Sequence, residues 1–301
     1  MPDTITCAQL IDKTRRWLTG SRGLVLNRLS GAIDATQTDL TTAYDPGPIA
    51  TNTYLGVDDE MVYVWEVDRG SKTLVVSRAQ LGTQAATHAD GGILETGARF
   101  PRYAIKEALQ DEIRAWPDDV FQVKVRGLDA AVNQAAFDLG LRDDQFHNVI
   151  QIERAPVLGR TTYTADRWST IPFRVARQMP RDSFPSGTAI FLTQRAPTDV
   201  GLRVMVSAPF DVDDIADDDD IVEDWGLARS MCDIPPMGAA ARLVQASEIL
   251  RTDTEAGVES RISAEIPPSY QSQTAVALRT VADRRLRAEA MKLRGRYPMP
   301  S

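Results

Sequence analysis

The sequence predicts an α+β protein, with a helical core, a β-hairpin and an inserted antiparallel β-sandwich. Apolar residues recur at helical spacing near both ends of the chain, and short alternating apolar runs separated by turn residues fill its middle. Of 301 residues, 43% are hydrophobic, enough for a sizeable core. The predicted parts are a first core segment at 1–121, the sandwich at 122–210, an acidic linker at 211–236 and C-terminal helices at 237–301.

The first predicted element is a helix over residues 6–19. Thr6 and Gln9 have the spacing of a capping box, in which each side chain accepts a hydrogen bond from the other residue's backbone N–H. Apolar residues at helical spacing follow, and Gly20 is placed to end the helix.

A β-hairpin is predicted next. The runs Val62–Val67 and Thr73–Ser77 alternate on either side of a turn that contains Asp68 and Gly70. Before this hairpin, residues 30–52 are rich in turn-forming types and predict loop with at most short strands.

A second helix follows the hairpin region. Ile105, Leu109, Ile113 and Trp116 recur at helical spacing until Pro117 interrupts the pattern. Five short apolar runs then predict the sandwich, because turn signals separate them at the intervals typical of antiparallel sheets. These runs are 122–126, 149–153, 170–175, 189–192 and 202–206.

Two helices are predicted after the acidic run at 211–220. The first extends from Met237 to Leu250, and the second from about Gln273 to Arg296. The acidic run lacks the residue spacing of an EF-hand loop, and we interpret it as a solvated linker rather than a calcium site.

No catalytic, cofactor-binding or metal site is predicted. The only histidines are His88 and His147, and neither a nucleophile elbow nor a phosphate-binding glycine loop occurs. We interpret Asp58, Asp59 and Glu60 as a solvated strand edge, and His88 as a residue that hydrogen-bonds its own loop. The cysteines at 7 and 232 are expected to be buried or half-buried thiols.

Charge and hydropathy narrow the expected partners. The net charge of −8 disfavours specific nucleic-acid binding, so protein partners are expected. The sequence has no apolar run of membrane-spanning length and no signal-peptide pattern at its start. We therefore expect a soluble chain that is made in the cytoplasm and does not bind membranes.

The predicted C-terminal helix is the candidate interface. It carries a surplus of five positive charges in an acidic chain, together with an apolar stripe that something must cover. Two explanations of these charges are equally good. The helix docks on an acidic partner, or it is simply an exposed helix with favourable cations near its C-terminus. The candidate interface residues are Leu278, Arg284, Arg285, Leu286, Arg287, Lys292, Leu293 and Tyr297.

Several segments resemble head-to-tail connector (adaptor) proteins of tailed bacteriophages, in particular phages of actinobacteria and their relatives. In the first half these are the acidic strand at 56–60 with the loop Leu81-Gly-Thr and His88-Ala-Asp-Gly, and the helix Ile105–Ile113. In the second half they are Asp233–Leu243 and Arg287–Pro298.

The resemblance implies an adaptor-like helical core that assembles as a ring, commonly of twelve copies, beneath the portal protein in the neck of the virion. Its C-terminal segment would reach the portal, and other neck or tail proteins would be neighbours. Smaller adaptors of this type lack an insertion such as the one predicted at 122–210, and no catalytic residue or cofactor is implied.

The alternative is a tail or baseplate protein whose sandwich binds carbohydrate. Tyr163 and Trp168 are the aromatic residues expected to stack on sugars. A hydrolase that uses acidic residues ranks third.

Overall fold

The computed structural model describes residues 4–19, 26–96, 100–130, 134–154, 169–193, 200–213, 216–255 and 269–297. Within these residues, helices and antiparallel sheets confirm the α+β class. The chain divides into two compact units. The barrel unit comprises Ile5–Glu112 and Asp233–Ala282, and the sheet unit comprises Met1–Thr4, Ile113–Cys232 and Asp283–Ser301.

All four predicted helices are present in the described residues. Thr6 and Gln9 form the predicted capping box, with reciprocal hydrogen bonds of 3.3 and 3.4 Å. The third helix begins at Ile234 rather than Met237, because two prolines fit its first turn, where backbone N–H groups have no partner within the helix. The helices are α1 Cys7–Thr19, α2 Arg102–Arg114, α3 Ile234–Glu255 and α4 Ser269–Arg296.

A six-stranded antiparallel sheet forms the centre of the barrel unit. Its strands in chain order are β1 Leu26–Arg28, β2 Asp39–Thr41, β3 Thr53–Val57, β4 Glu60–Asp68, β5 Thr73–Ser77 and β6 Ile93–Thr96. They pair in the order β1-β6-β3-β4-β5-β2. An antiparallel bridge between Leu29 and Thr42 joins the two outer strands, so the sheet closes on itself as a small barrel.

The barrel encloses alternate side chains of its strands. Leu55 and Val57 of β3 and Val62 and Val64 of β4 are fully buried in one apolar cluster. The predicted hairpin is confirmed as β4 and β5. Strands β3 and β6 and the closure of the sheet were not predicted.

The sheet unit contains two further antiparallel sheets. One pairs in the order β10-β9-β13-β7 and the other in the order β11-β12-β8. Their strands are β7 Gln122–Ala130, β8 Ala136–Asp138, β9 Asn148–Arg154, β10 Ser169–Thr170, β11 Phe173–Ala176, β12 Ala189–Leu192 and β13 Val200–Ala208.

Both of these sheets contribute to one hydrophobic core. Phe137 and Ile190 come from the smaller sheet, and Ile152 and Val204 from the larger one. Antiparallel pairing is thus found at each predicted apolar run, whereas the description of this region as an inserted sandwich stays a prediction. The run at 170–175 is divided between two sheets, because Pro172 cannot donate a backbone hydrogen bond.

The cysteines match their predicted state, since Cys7 and Cys232 are buried free thiols. None of the described helices combines the length and apolar character needed to cross a bilayer.

Candidate partner interface

The candidate interface residues lie on two sides of α4. The four cations Arg284, Arg285, Arg287 and Lys292 are exposed. On the apolar side, Leu286 is buried, and Leu278, Leu293 and Tyr297 are half-buried. The structure therefore brings the cations together at the surface and places the apolar residues against the rest of the chain.

The apolar stripe of α4 is largely covered within the monomer. Ala275, Ala282, Leu286 and Ala290 are all less than a tenth exposed. The sequence led us to expect part of this stripe to pack against a neighbouring subunit or the portal, which stays a prediction, whereas Leu286 is covered within its own chain. The physical reason is that α4 is held to its own chain by buried polar contacts that a helical pattern does not reveal.

In the barrel unit, the main buried polar contact of α4 is made to Glu112. Its side chain, 2% exposed, accepts from Arg279 Nη1 at 2.7 and 2.8 Å and from Arg242 Nε at 2.6 Å. This carboxylate thus joins α2, α3 and α4. It lies directly on Gly238 of α3, where any side chain would occupy the same space.

Three further contacts fix the C-terminal half of α4 within the sheet unit. Glu289, also buried, accepts from the Ser230 hydroxyl at 3.1 Å. Arg285 donates to the Ser230 carbonyl at 3.3 Å, and Arg294 pairs with Asp119 at 2.8 Å. Lys292 also pairs with Glu289, at 2.7 Å. Several cations of α4, Arg279 among them, are therefore engaged within their own chain even where their side chains are exposed.

Sequence analysis missed the apolar residues on the exposed side of α4. Val276, Val281 and Met291 are 55%, 46% and 74% exposed. Their spacing does not form a regular stripe, so periodicity alone did not single them out. A mixture of cations and apolar side chains on one helix surface is typical of protein interfaces.

The acidic residues at 58–60 are structural, and their interpretation as a solvated edge is wrong. Asp58 and Asp59 form the tight turn between β3 and β4, with Asp58 at a φ of 51°. Asp59 pairs with Arg102 at 3.0 Å and Lys106 at 2.6 Å, both on α2. Glu60 is 2% exposed and forms an ion pair with Arg78.

His88 connects this turn to the long loop after β5. Its Nδ1 lies 2.8 Å from Asp58, and its Nε2 lies 3.0 Å from Glu60. Its backbone also pairs with that of Ile33 in both directions. The prediction that His88 hydrogen-bonds its own loop is therefore wrong, because its partners in the described residues are Asp58, Glu60 and Ile33, which lie elsewhere in the chain.

The ionisation of this cluster follows from its contacts. Burial alone would raise the pKa of Glu60, but hydrogen bonds from Arg78, His88 and two backbone amides lower it from 4.5 to about 2. Burial lowers the pKa of His88, but Asp58 and Glu60 together raise it above 6.5. The hydrogen bond from His88 lowers the pKa of Asp58. Paired charges of this kind hold a loop in place and leave no unengaged base.

Other candidate sites do not form in the described residues. There, no group of three or more His, Cys, Asp or Glu side chains is arranged to hold a metal ion. In the acidic run, Asp211 pairs with Lys124 and Asp213 with Arg114. Tyr163 and Trp168 lie outside the described residues.

No protein-family model matches the chain, and no curated protein is similar to it at a significant level.

Proposed function

We propose that this chain is a structural protein of a tailed-phage virion that forms a ring in the neck and joins the portal to the tail. The expected ring has twelve copies, and the portal protein and other neck or tail proteins are its partners. On this proposal the chain needs no cofactor and catalyses no reaction. It is made in the host cytoplasm and acts in the virion neck.

One observation carries the proposal. The residues that bear the phage resemblance in the first half of the chain converge on a single structural unit. Asp58 and Glu60, from the acidic strand, both contact His88, from the loop about thirty residues later. This contact between the two halves of the motif supports the proposal.

The exposed cations of α4 support a docking role. Arg285 and Lys292 lie seven residues apart and so share one side of the helix, which faces solvent. The chain as a whole is acidic, with a net charge of −8. A local basic surface of this kind favours an acidic partner and steers its approach. We assign this side of α4 to the portal.

A binding measurement with the portal protein of the same phage tests the proposal. We expect native mass spectrometry to detect a ring of the chain and its complex with the portal ring. The double variant Arg285→Glu and Lys292→Glu should weaken portal binding, and added salt should weaken the wild-type complex. Arg16→Glu with Arg181→Glu makes the same charge change at two other exposed sites and is the matched control.

A wild-type chain that forms no ring and does not bind the portal would contradict the proposal. Equal binding by the two double variants would refute the role given to Arg285 and Lys292 alone. The carbohydrate-binding alternative depends on Tyr163 and Trp168 and stays a prediction. Retention on a glycan array that Trp168→Ala abolishes would favour that alternative.

A further inference from the structure

The outer surface of the barrel carries a row of exposed aromatic residues. Tyr54 of β3 lies directly opposite Tyr63 of β4, and Trp65 follows two residues later. The ring centroids are 5.3 Å apart for the two tyrosines and 4.6 Å apart for Tyr63 and Trp65. Tyr54 is 45% and Trp65 57% exposed, and the Trp65 Nε1 donates to Ser77 Oγ, which fixes the indole. We call this row, in which Tyr63 is half-buried, the aromatic face.

Carboxylates flank the aromatic face. In the strand register, exposed Val75 of β5 lies between Glu66 of β4 and Asp39 of β2. Both acidic side chains are exposed. A binding partner of this surface would therefore have to combine apolar and positively charged groups.

A hollow beside Tyr54 ends at a third carboxylate. Its volume is about 570 Å³, and Gly56 forms part of its wall, between Met61 and Glu95 on the adjacent strands. Glu95 is only 5% exposed, yet its Oε2 has no hydrogen-bond partner, while Arg15 lies 2.6 Å from Oε1. Burial raises the pKa of Glu95, although Arg15 opposes this effect. A buried carboxylate oxygen without a partner favours a ligand that donates a hydrogen bond.

One side of α4 has the complementary chemistry. Arg284, Arg287 and Met291 follow at i, i+3 and i+7, so they share one helix surface. All three are exposed, Met291 by 74%. Within the described part of the chain, neither arginine forms an ion pair. We call these three residues the basic face, and they lie apart from Arg285 and Lys292 around the helix.

We propose that the aromatic face and its hollow receive the basic face of α4 from a second copy of this chain. Arginine stacks on aromatic rings and pairs with carboxylates, and the methionine thioether packs well against aromatic rings. The hollow, which Glu95 helps to line, would receive one guanidinium of the basic face. This inference rests on the proposed ring function and names the surfaces that join its subunits.

The two surfaces are different, so the contact is heterologous. Each copy would offer one basic face and one aromatic face, and repetition of such a contact closes into a ring when the rotation permits. This geometry allows a test that does not depend on phage particles. A copy with only one working surface can bind a single neighbour and must end the assembly.

The experiment uses two full-length variants, one defective in each surface. The first carries Arg284→Glu and Arg287→Glu, and the second carries Tyr54→Ala and Trp65→Ala. We expect the wild type to self-associate at low salt and each variant alone to be monomeric, with self-association weakened by at least roughly ten-fold. An equimolar mixture should form dimers and nothing larger, because only one pair of intact surfaces remains. Mass photometry or sedimentation velocity measures these masses.

Matched controls separate docking from folding. Trp17→Ala removes another exposed tryptophan of the barrel unit, and Arg16→Glu with Arg181→Glu repeats the charge change elsewhere. Both controls should associate like the wild type, and circular dichroism should show that all variants are folded.

Three outcomes would overturn the inference. In the first, the wild type stays monomeric. In the second, the wild type associates but the mixture of the two defective variants stays monomeric. In the third, the wild type binds an unrelated arginine-rich peptide but does not bind itself. An experiment can tell whether the proposed subunit contact is wrong or whether the proposed neck function is wrong. A chain that binds the portal but fails the mixing test would form its ring through other surfaces, whereas a chain that passes the mixing test but does not bind the portal would lack the neck role.

Discussion

Replacement of Glu60 by glutamine tests the idea that the contacts among Asp58, Glu60, Arg78 and His88 hold the loop after β5 in place. Glu60 accepts five hydrogen bonds, two from Arg78, one from His88 and two from the backbone amides of Ala79 and Ala86. The Arg78 side chain is only 7% exposed, so Glu60→Gln would leave a buried guanidinium without its counter-charge.

Two independent arguments give a similar magnitude. Removal of one partner from a buried ion pair costs about 3–5 kcal/mol of unfolding free energy. The pKa of Glu60 falls from 4.5 to about 2 on folding, and this shift corresponds to about 3 kcal/mol of stability at neutral pH. We therefore expect Glu60→Gln to lower the free energy of unfolding by about 3 kcal/mol.

Urea unfolding at pH 7 measures this loss, and hydrogen exchange across residues 73–96 locates it. Glu66→Gln is the matched control, because Glu66 lies on the same strand and is exposed. That control should change stability by less than about 0.5 kcal/mol. A Glu60→Gln variant no less stable than Glu66→Gln, with unchanged exchange in this loop, would refute the structural reading of the motif.

The same contacts predict two further results. Because the folded pKa of His88 is raised above 6.5, its contribution is fully present below that pH and is lost as the pH rises through the folded pKa. His88→Gln should therefore remove a decline in wild-type stability above pH 6.5, and an equal decline in both proteins would contradict this. Gly238→Ala should destabilise the chain by about 1–3 kcal/mol in thermal unfolding, since the new methyl group would overlap Glu112. Gly295→Ala, in a helix position with open space, should stabilise by up to about 1 kcal/mol, and the same sign at both glycines would contradict the packing argument.

Local elements could be predicted because their signals lie close together in the sequence. The capping box needs only Thr6 and Gln9, and the hairpin needs two alternating runs on either side of one turn. The class and the positions of all four helices followed from such signals. Closure of the barrel did not, because it depends on the three-residue strands β1 and β2 and on a single bridge at Leu29.

The candidate site was predictable only in part, because its contacts join residues far apart in the chain. Glu112 meets Arg279 across 167 residues, so no sequence window indicates that this arginine is internally paired. The sequence around Glu60 indicates a solvated acid, because its partners Arg78 and His88 lie 18 and 28 residues away in the chain. Excess positive charge on α4 was visible in the sequence, whereas the aromatic face became apparent only when strand register aligned Tyr54 with Tyr63.

The most direct test of the account is the position of this chain in phage particles. If the proposed neck role is right, phage particles that contain the chain, imaged by electron microscopy with a gold-labelled antibody against the sheet unit, report that position. The account predicts label at the junction of head and tail, in a ring of density directly below the portal. Label at the distal end of the tail, or particles that lack the chain altogether, would contradict it.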